Sequence, residues 1–341
     1  MRGRGWIVAA ALVGLVGCGP PRQTSLHTLD VGGVVESLAF APDGRTLACA
    51  LRDRILLVDA ESGTRIRELG PLPEQYLLVA FSHERLLSAG TDGYVRRWDV
   101  TRGTEVDRFA SGRVGNLAIS PDGRWLVTTP ATNGNDSRIE GAATITIWDL
   151  DQDRRSPPIP GSSYAVQSLA VSADGLVAVS YGELKIDVFD VRTAKLVRSL
   201  QDTGVSTEWI SSLAFSPDAS RLLASGDSFG GIRLWDVANG RLLVRFSSHL
   251  GELGAPSPWI TAMVFAAQGG LLAASDSCEV AGIWRIGEQP EREHRAIARL
   301  FDPGPDGSGH IHALAGNRDG SLVATSHNDK RIRIWRGPGS R

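Results

Sequence analysis

Short apolar runs alternate with tight-turn residues along almost the whole chain. The apolar runs Ser37–Phe40 and Asn116–Ile119 are each followed, after one small residue, by Pro-Asp-Gly. In such a turn proline presets φ, aspartate bonds to its own backbone, and glycine takes the left-handed conformation. The pattern therefore predicts β-strands joined by hairpins.

A second sequence feature recurs after each hairpin. It is an alternating strand that ends in an aromatic residue, often followed by aspartate, and it occurs as Trp98-Asp99, Trp148-Asp149, Phe189-Asp190, Trp235-Asp236 and, degraded, Val58-Asp59, Trp284-Arg285 and Trp335-Arg336. A third strand follows with an apolar-polar-polar-apolar signature, as in Ile66…Leu69 and Val106…Phe109. Seven copies of roughly 45 residues indicate a repeat architecture.

Residues 25–336 resemble the WD40-repeat β-propellers, on the strength of the Pro-Asp-Gly turn and the Trp-Asp ending. The resemblance implies an all-β fold, a seven-bladed β-propeller of four-stranded antiparallel blades. One feature departs from the family: the Gly-His dipeptide that opens many repeats is essentially missing, because Gly309-His310 lies too close to its strand, and His249 is the only stand-in. The family's buried His–Asp–Ser–Trp network is therefore expected to be incomplete, with apolar packing between blades carrying more of the stability.

The two ends of the repeat region predict how the ring closes. Only six residues follow Trp335, too few for an outer strand and its turn, whereas Leu26–Leu29 carries the outer-strand signature before the first repeat. We expect this N-terminal segment to supply the outer strand of the last blade. Closure of the ring hides sheet edges that would otherwise aggregate.

The first residues have the composition of an export signal. Arg2 and Arg4 precede an uncharged stretch from Trp6 to Val16, which is too short to span a bilayer but suits the core of a secretory signal. It ends in Leu15-Val16-Gly17-Cys18, which resembles the lipobox of bacterial lipoproteins. The resemblance implies a signal peptide over 1–17, cleavage before Cys18 and acylation of Cys18. We expect a lipidated tether over 18–24, the propeller over 25–336 and a tail over 337–341.

This resemblance also implies a location. An exported, membrane-anchored lipoprotein of the bacterial cell envelope is expected, and because no aspartate follows Cys18, the outer membrane is favoured. Three acyl chains exceed the two signals that stable anchoring requires. The tether is short, so the membrane is expected near the bottom of the propeller.

Charge and motifs argue against several functions. The 36 basic and 38 acidic residues give a net charge of −2, which disfavours a nucleic-acid binder. We predict no catalytic residue, no cofactor and no metal: His310 and His312, with Asp302 and Asp306 before them, have no third ligand at a fixed spacing. Gly226–Gly230 matches G-x-S-x-G, but a strand follows where a nucleophile elbow needs a helix.

Loop lengths point to one face for binding. We call "top" the face that carries the connections from the outer strand of one blade to the inner strand of the next, and "bottom" the opposite face. The top connections into blades 5, 6 and 7 are together roughly 17 residues longer than the others, and blade 3 gains roughly 10 residues within Thr129–Ala143. Long loops on a rigid scaffold are the usual place for binding sites.

The candidate site lies where the top connections enter the inner strands. Trp209 and Trp259 each stand six residues before the aromatic position of their strand, and His310 shares this register. Glu36, Gln167 and His312 stand four residues before that position in other blades. Aromatic anchors with a polar surround are typical of protein-binding hot spots.

These observations predict a non-enzymatic envelope lipoprotein, a scaffold that holds a protein or peptide partner on its top face. Two alternatives stay open. One is a propeller enzyme of the hydrolase or lactonase type, which needs inward-pointing carboxylates or histidines from several blades. The other is a receptor for small ligands or glycans that uses the tryptophans as stacking platforms.

Overall fold

The computed structural model describes residues 22–73, 77–131, 144–160, 162, 164–181, 185–202, 209–217, 222–247, 259–277, 280–287, 294–301 and 310–338. The predicted signal peptide, Cys18, His249, Cys278, Asp302 and Asp306 lie outside these residues. Within them the chain is all β apart from one 3-10 turn, Ala267–Gly269. None of the described segments is a helix with the length and apolarity that crossing a membrane requires.

Two short strands precede the first blade: β1 (Arg22–Gln23) and β2 (His27–Asp30). Blade 1 consists of β3 (Ser37–Phe40), β4 (Thr46–Ala50), β5 (Ile55–Asp59) and β6 (Thr64–Leu69). Blade 2 consists of β7 (Leu77–Ser82), β8 (Arg85–Gly90), β9 (Tyr94–Asp99) and β10 (Thr104–Ala110). Blade 3 consists of β11 (Val114–Ile119), β12 (Trp125–Pro130), β13 (Thr146–Asp149) and β14 (Arg154–Arg155).

Blade 4 consists of β15 (Ser168–Val171), β16 (Leu176–Ser180), β17 (Lys185–Asp190) and β18 (Leu196–Gln201). Blade 5 consists of β19 (Ile210–Phe215), β20 (Leu222–Asp227), β21 (Gly231–Asp236) and β22 (Arg241–Ser247). Blade 6 consists of β23 (Ile260–Ala266), β24 (Leu271–Asp276), β25 (Val280–Ile286) and β26 (His294–Phe301). Blade 7 contains β27 (Ile311–Gly316), β28 (Leu322–His327) and β29 (Arg331–Arg336).

The seven sheets form a closed ring. The inner strands β3, β7, β11, β15, β19, β23 and β27 contact one another in this order, and β27 contacts β3. β2 is the fourth strand of blade 7 and pairs antiparallel with β29, His27 opposite Ile334 and Asp30 opposite Arg331. The predicted seven-bladed propeller and its closure by an N-terminal outer strand are both confirmed.

The N-terminal segment also contacts the blade before the last one. β1 pairs in parallel with β26 and forms a fifth strand on the outer edge of blade 6. The Arg22 guanidinium lies over the ring of Phe301, 5.1 Å from its centroid. The nine residues from Arg22 to Asp30 therefore tie blade 6 to blade 7, although the sequence analysis assigned residues 22–24 to a tether.

The turns follow the chemistry that their residues predict. The Asp43 carboxylate accepts the backbone N–H groups of Arg45 and Thr46 at 2.8 Å, and Gly44 takes a φ of +70°. At the end of the third strand, the Asp59 carboxylate accepts the N–H of Ser62 at 2.9 Å. The aspartates of the Trp-Asp landmark thus stabilise the turns into the outer strands.

The apolar-polar-polar-apolar signature of the outer strands does not mark two residues on the same buried face of a strand. In blades 1, 2 and 4 its first apolar residue falls in a β-bulge and is about half exposed, as Ile66, Val106 and Val197 show. Its last apolar residue turns inward, and Leu69 and Leu200 are buried. The bulge adds one residue to the outer strand and shifts the register of its pairing.

The core is divided into seven apolar clusters, one in each gap between adjacent blades. Single hydrogen bonds also join neighbouring blades. Ser168 Oγ accepts the N–H of Leu213 at 3.0 Å, and Ser326 Oγ donates to the carbonyl of Val35 at 2.9 Å. Stability therefore depends on contacts between blades, each of which buries its two faces only with both neighbours in place.

Blades 2, 5 and 7 also contain buried polar pairs. The tryptophan of the third strand donates from Nε1 to a hydroxyl of the second strand at 2.9 Å, and the pairs are Trp98–Ser88, Trp235–Ser225 and Trp335–Thr325. Two residues before each tryptophan, a buried arginine forms an ion pair with an aspartate of the preceding turn, and the pairs are Arg96–Asp92, Arg233–Asp227 and Arg333–Asp329. These ion pairs supplement the network that the sequence analysis expected to be incomplete.

Candidate functional site

Trp209, Trp259 and His310 occupy equivalent positions at the top of blades 5, 6 and 7. Each precedes the first residue of its inner strand. Each also accepts, at its backbone carbonyl, an N–H from the turn between the second and third strands, and the pairs are Ser228–Trp209 (3.1 Å), Ser277–Trp259 (3.0 Å) and Asn328–His310 (3.1 Å). The shared register inferred from the sequence is therefore present in three dimensions.

Three large aromatic side chains are about half exposed on blades 5 and 6. Trp209 is 49% exposed, Trp259 is 52% exposed and Phe229, in the turn beside Trp209, is 48% exposed. We call these three residues the aromatic patch. The sequence analysis missed Phe229, because Gly226–Gly230 was tested only as a catalytic motif. The sequence did contain a signal for Phe229 as a site residue, because an aromatic residue is unusual in a tight turn, where polar residues are common.

The polar residues of the predicted site lie at the same end of other blades. The N–H of Glu36 bonds to the carbonyl of Ala50, and that of Gln167 bonds to Ser180, both at 2.9 Å. His312 is the bulged residue of its strand. Gln167, the aromatic patch, the histidines and Glu36 thus follow one another over blades 4, 5, 6, 7 and 1.

Two of these polar side chains are already engaged within the chain. The Glu36 carboxylate pairs with Arg52 at 3.2 Å. His312 Nε2 hydrogen-bonds to Asn328 Oδ1. His312 is exposed, whereas the Glu36 side chain is only 11% exposed, so each can contact a ligand only by exchanging or sharing its partner.

A buried charge network lies beneath Trp209 and Phe229. Arg233 donates from Nε to Asp202 at 2.7 Å and from Nη1 to Asp227, and all three side chains are buried. Asp202 follows the outer strand of blade 4, whereas Asp227 accepts the N–H of Phe229 at 2.9 Å. The network therefore joins two blades and holds the turn that presents Phe229.

The structure gives the G-x-S-x-G segment a turn role. Ser228 lies between strands β20 and β21, so the strand–turn–helix geometry of a nucleophile elbow is absent there. Gly231 donates its N–H to Asp227 at 2.7 Å, and Asp227 is committed to Arg233. Within the described part of the chain, no group of three or more His, Cys, Asp or Glu residues could hold a metal ion.

Comparisons with known proteins identify the repeats. The profile described as "WD domain, G-beta repeat" matches residues 194–236 and 304–336. The chain is 28% identical to Transducin beta-like protein 3 of Bos taurus over 92% of its own length and 45% of the relative. It is 30% identical to the uncharacterized WD repeat-containing protein sll1491 of Synechocystis over 41% of its own length and 36% of the relative.

A solved structure shows the same fold over nearly the whole chain. A chain of the "Crystal Structure of Mitotic Checkpoint Complex" superposes with a TM-score of 0.73 at 20% identity, covering 93% of this chain and 96% of that one. The chain therefore has the seven-bladed β-propeller fold, and residues 194–236 and 304–336 match the WD40 repeat. It spans less than half the length of the two relatives named above.

Proposed function

We propose that this chain is a non-enzymatic scaffold that binds a protein or peptide partner on the top face of its propeller. The observation that carries the proposal is the aromatic patch, because three large half-exposed aromatic side chains stand at the top ends of two adjacent blades. Tryptophan is among the residues that most often dominate the binding energy when they become buried in a protein interface. His310, His312, Glu36 and Gln167 supply a polar surround along the same face.

The similar proteins support a binding role. The matched solved structure is a chain of a checkpoint complex, which is an assembly of several proteins. The fold itself is compatible with many functions, so the proposal depends on the patch.

The experiment compares the wild-type chain with a Trp209→Ala/Trp259→Ala variant. Proteins cross-linked in the native membrane fraction are identified by mass spectrometry, and the strongest candidate is purified and titrated against both forms. We expect the double substitution to weaken binding by about 1,000-fold, since two hot-spot residues at about 2 kcal/mol each contribute about 4 kcal/mol. The matched control is Ile66→Ala/Val106→Ala, which removes two half-exposed apolar side chains from the outer rim.

Several results would contradict this proposal. Equal binding by the wild type and the tryptophan variant would exclude the patch. A glycan that binds the wild type alone, with no protein partner, would favour the receptor alternative. Hydrolysis of an ester or lactone by the purified chain would favour the enzyme.

We also propose that the chain is exported and anchored to the membrane through Cys18, and that this anchor sets its orientation. The support is the Leu15–Cys18 motif and the direction of β2, whose first residue His27 pairs near the bottom end of β29. The membrane would then face the bottom rim, with the aromatic patch turned away. A Cys18→Ser variant is expected to lose incorporation of a labelled fatty acid and to leave the membrane fraction, whereas unchanged labelling would refute the anchor.

A further inference from the structure

The same backbone hydrogen bond recurs at the bottom ends of several blades, and it shows which residues of different blades occupy equivalent positions. The residue after the Trp-Asp position donates its N–H to a carbonyl just before the second strand, and the pairs are Ala60–Arg45 (2.9 Å), Leu150–Arg124 (2.8 Å), Val191–Gly175 (3.0 Å), Ile286–Gly270 (3.0 Å) and Gly337–Ser321 (2.6 Å). Arg285 therefore occupies the position of Asp59 and Asp149. Gly270 occupies the position of Arg45 and Arg124.

This alignment shows that blade 6 lacks the ion pair that blades 1 and 3 form at this position. In blade 1, Arg45 pairs with Asp59 at 2.5 Å, and in blade 3, Arg124 pairs with Asp149 at 2.8 Å. Blade 6 carries the positive charge on the third strand instead, as Arg285, and glycine replaces its partner. Among the described residues, the Arg285 guanidinium has no hydrogen-bond or ion-pair partner.

Arg285 lines a cleft of about 660 Å³ on the bottom face between blades 6 and 7. This volume lies within the range of ligand sites, about 300–1,000 Å³. Leu271, Ile286 and Pro338 supply apolar walls, and Gly270 carries no side chain that could pair with Arg285. An unpaired guanidinium in such a cleft is complementary to an anion that carries an apolar stem.

The opposite wall limits the charge of that anion. Asp319 lines the cleft but accepts the N–H of Ser321 at 2.9 Å and its hydroxyl at 2.7 Å through one carboxylate oxygen. A dianionic phosphate would be repelled by this carboxylate more strongly than a monoanionic carboxylate. One guanidinium also matches one carboxylate in charge and in bidentate geometry.

We propose that the cleft between blades 6 and 7 is a second binding site, in which Arg285 binds the carboxylate of an acidic residue in an extended segment of a protein partner. The apolar walls contact the methylenes of that residue and its apolar neighbours. The site lies on the face opposite the aromatic patch and does not depend on it.

The test uses immobilised nine-residue peptide pools with randomised flanks and a fixed central Glu, Gln, phosphoserine or Lys. The purified full chain is expected to be retained by the Glu pool about tenfold more than by the Gln pool. This is the difference in affinity that a hydrogen bond to a charged group contributes relative to one with a neutral group. Arg285→Asp is expected to abolish the preference. Arg318→Ala, which removes an exposed arginine that does not line the cleft, is expected to preserve it.

A second variant separates binding from folding. Gly270→Arg/Arg285→Asp recreates the ion pair of blades 1 and 3, so it is expected to keep the wild-type melting temperature and lose the Glu preference. Equal retention by the Glu and Gln pools, stronger retention by phosphoserine, or a preference that survives Arg285→Asp would each overturn the proposal. The Trp209→Ala/Trp259→Ala variant is expected to bind the Glu pool as the wild type does. Loss of binding at the top face can therefore be distinguished from loss of binding at this cleft.

Discussion

His27 donates a hydrogen bond from Nε2 to the backbone carbonyl of Glu61 at 2.6 Å. His27 belongs to β2, the closing strand of blade 7, whereas Glu61 lies in the turn before the outer strand of blade 1. The imidazole also lies against Gly63 of that turn, where an added Cβ would be 2.8 Å from His27 Cγ. The strand that closes the ring is thus also connected to the next blade.

The same contact recurs elsewhere with arginine. Arg67 of blade 1 donates to the carbonyl of Arg102 at 3.3 Å, and Arg198 of blade 4 donates to that of Ala238 at 2.9 Å. In each case a glycine of the turn leaves space for the side chain, Gly103 for Arg67 and Gly240 for Arg198. The outer strand of one blade is therefore fastened to the turn of the next by a repeated interaction.

Gly63→Ala tests this interaction at the closure. Ala at a φ of +69° costs about 1 kcal/mol in backbone strain, and displacement of His27 is expected to add roughly 1 kcal/mol through its lost hydrogen bond. The matched control is Gly112→Ala, because Gly112 has a φ of +76° and no heavy atom within 4 Å of its added Cβ. Urea unfolding measures both, and an equal loss in the two variants would contradict the His27 contact.

Deletion of residues 24–30 is expected to lower the melting temperature on the order of 10 °C, although it removes no core tryptophan. The deletion removes β2 and uncovers Ile332 and Ile334, which are fully buried. Burial of two such side chains contributes roughly 3–6 kcal/mol, and 1 kcal/mol shifts the midpoint of a large domain by about 2–4 °C. Removal of residues 1–21 is the control because it leaves β1 and β2 in place, and an unchanged melting temperature after the 24–30 deletion would exclude closure by β2.

The sequence predicted the blades because their signals are local. The Pro-Asp-Gly turn and the Trp-Asp landmark each depend on residues close together in the chain, and Trp209 and Trp259 were aligned by counting along their own strands. The closure was also predictable, since the outer-strand signature at Leu26–Leu29 had no other place in a ring of seven. The long insertions that favoured the top face fall mostly outside the described residues, at 132–143, 203–208, 248–258 and 302–309.

The features that the sequence analysis missed depend on partners distant in the chain. Arg22 and Gln23 form a strand only because the edge of blade 6 lies beside them. Arg233 looks like an exposed strand residue until Asp202, 31 residues earlier, is placed against it. The pairing that Arg285 lacks is visible only when blades are aligned by their hydrogen bonds.

Acid is expected to destabilise the propeller between about pH 4 and pH 2. The backbone N–H of Ser62 lowers the pKa of Asp59, and the Thr101 hydroxyl, with the N–H of Arg102, lowers the pKa of Asp99 to about 2. Because an unfolded aspartate has a pKa of about 3.9, the unfolded chain binds protons first as the pH falls. The stabilisation from these carboxylates is therefore complete above about pH 4 and is lost as the pH approaches 2.

Thermal unfolding monitored by tryptophan fluorescence from pH 7 to pH 2 checks this window. Asp99→Asn is expected to be less stable at pH 7 and to show a shallower loss on acidification. Glu61→Gln is the control, since it removes an exposed carboxylate that makes no hydrogen bond to the turn. A variant profile parallel to that of the wild type would show that Asp99 does not contribute to the acid sensitivity.

Arg233→Met is expected to destabilise the chain by about 3 kcal/mol, because it removes the buried cation that pairs with both Asp202 and Asp227, and only Asp202 keeps a second ion pair, with Arg245. Most of this loss comes from uncompensated charge, so Arg233→Met/Asp202→Asn/Asp227→Asn is expected to recover much of it in urea unfolding. The network also orients the turn of Phe229, and binding to the top face is expected to weaken in both variants. If the triple variant is no more stable than Arg233→Met, the network acts through shape and hydrogen bonding, and charge compensation is not the source of its contribution.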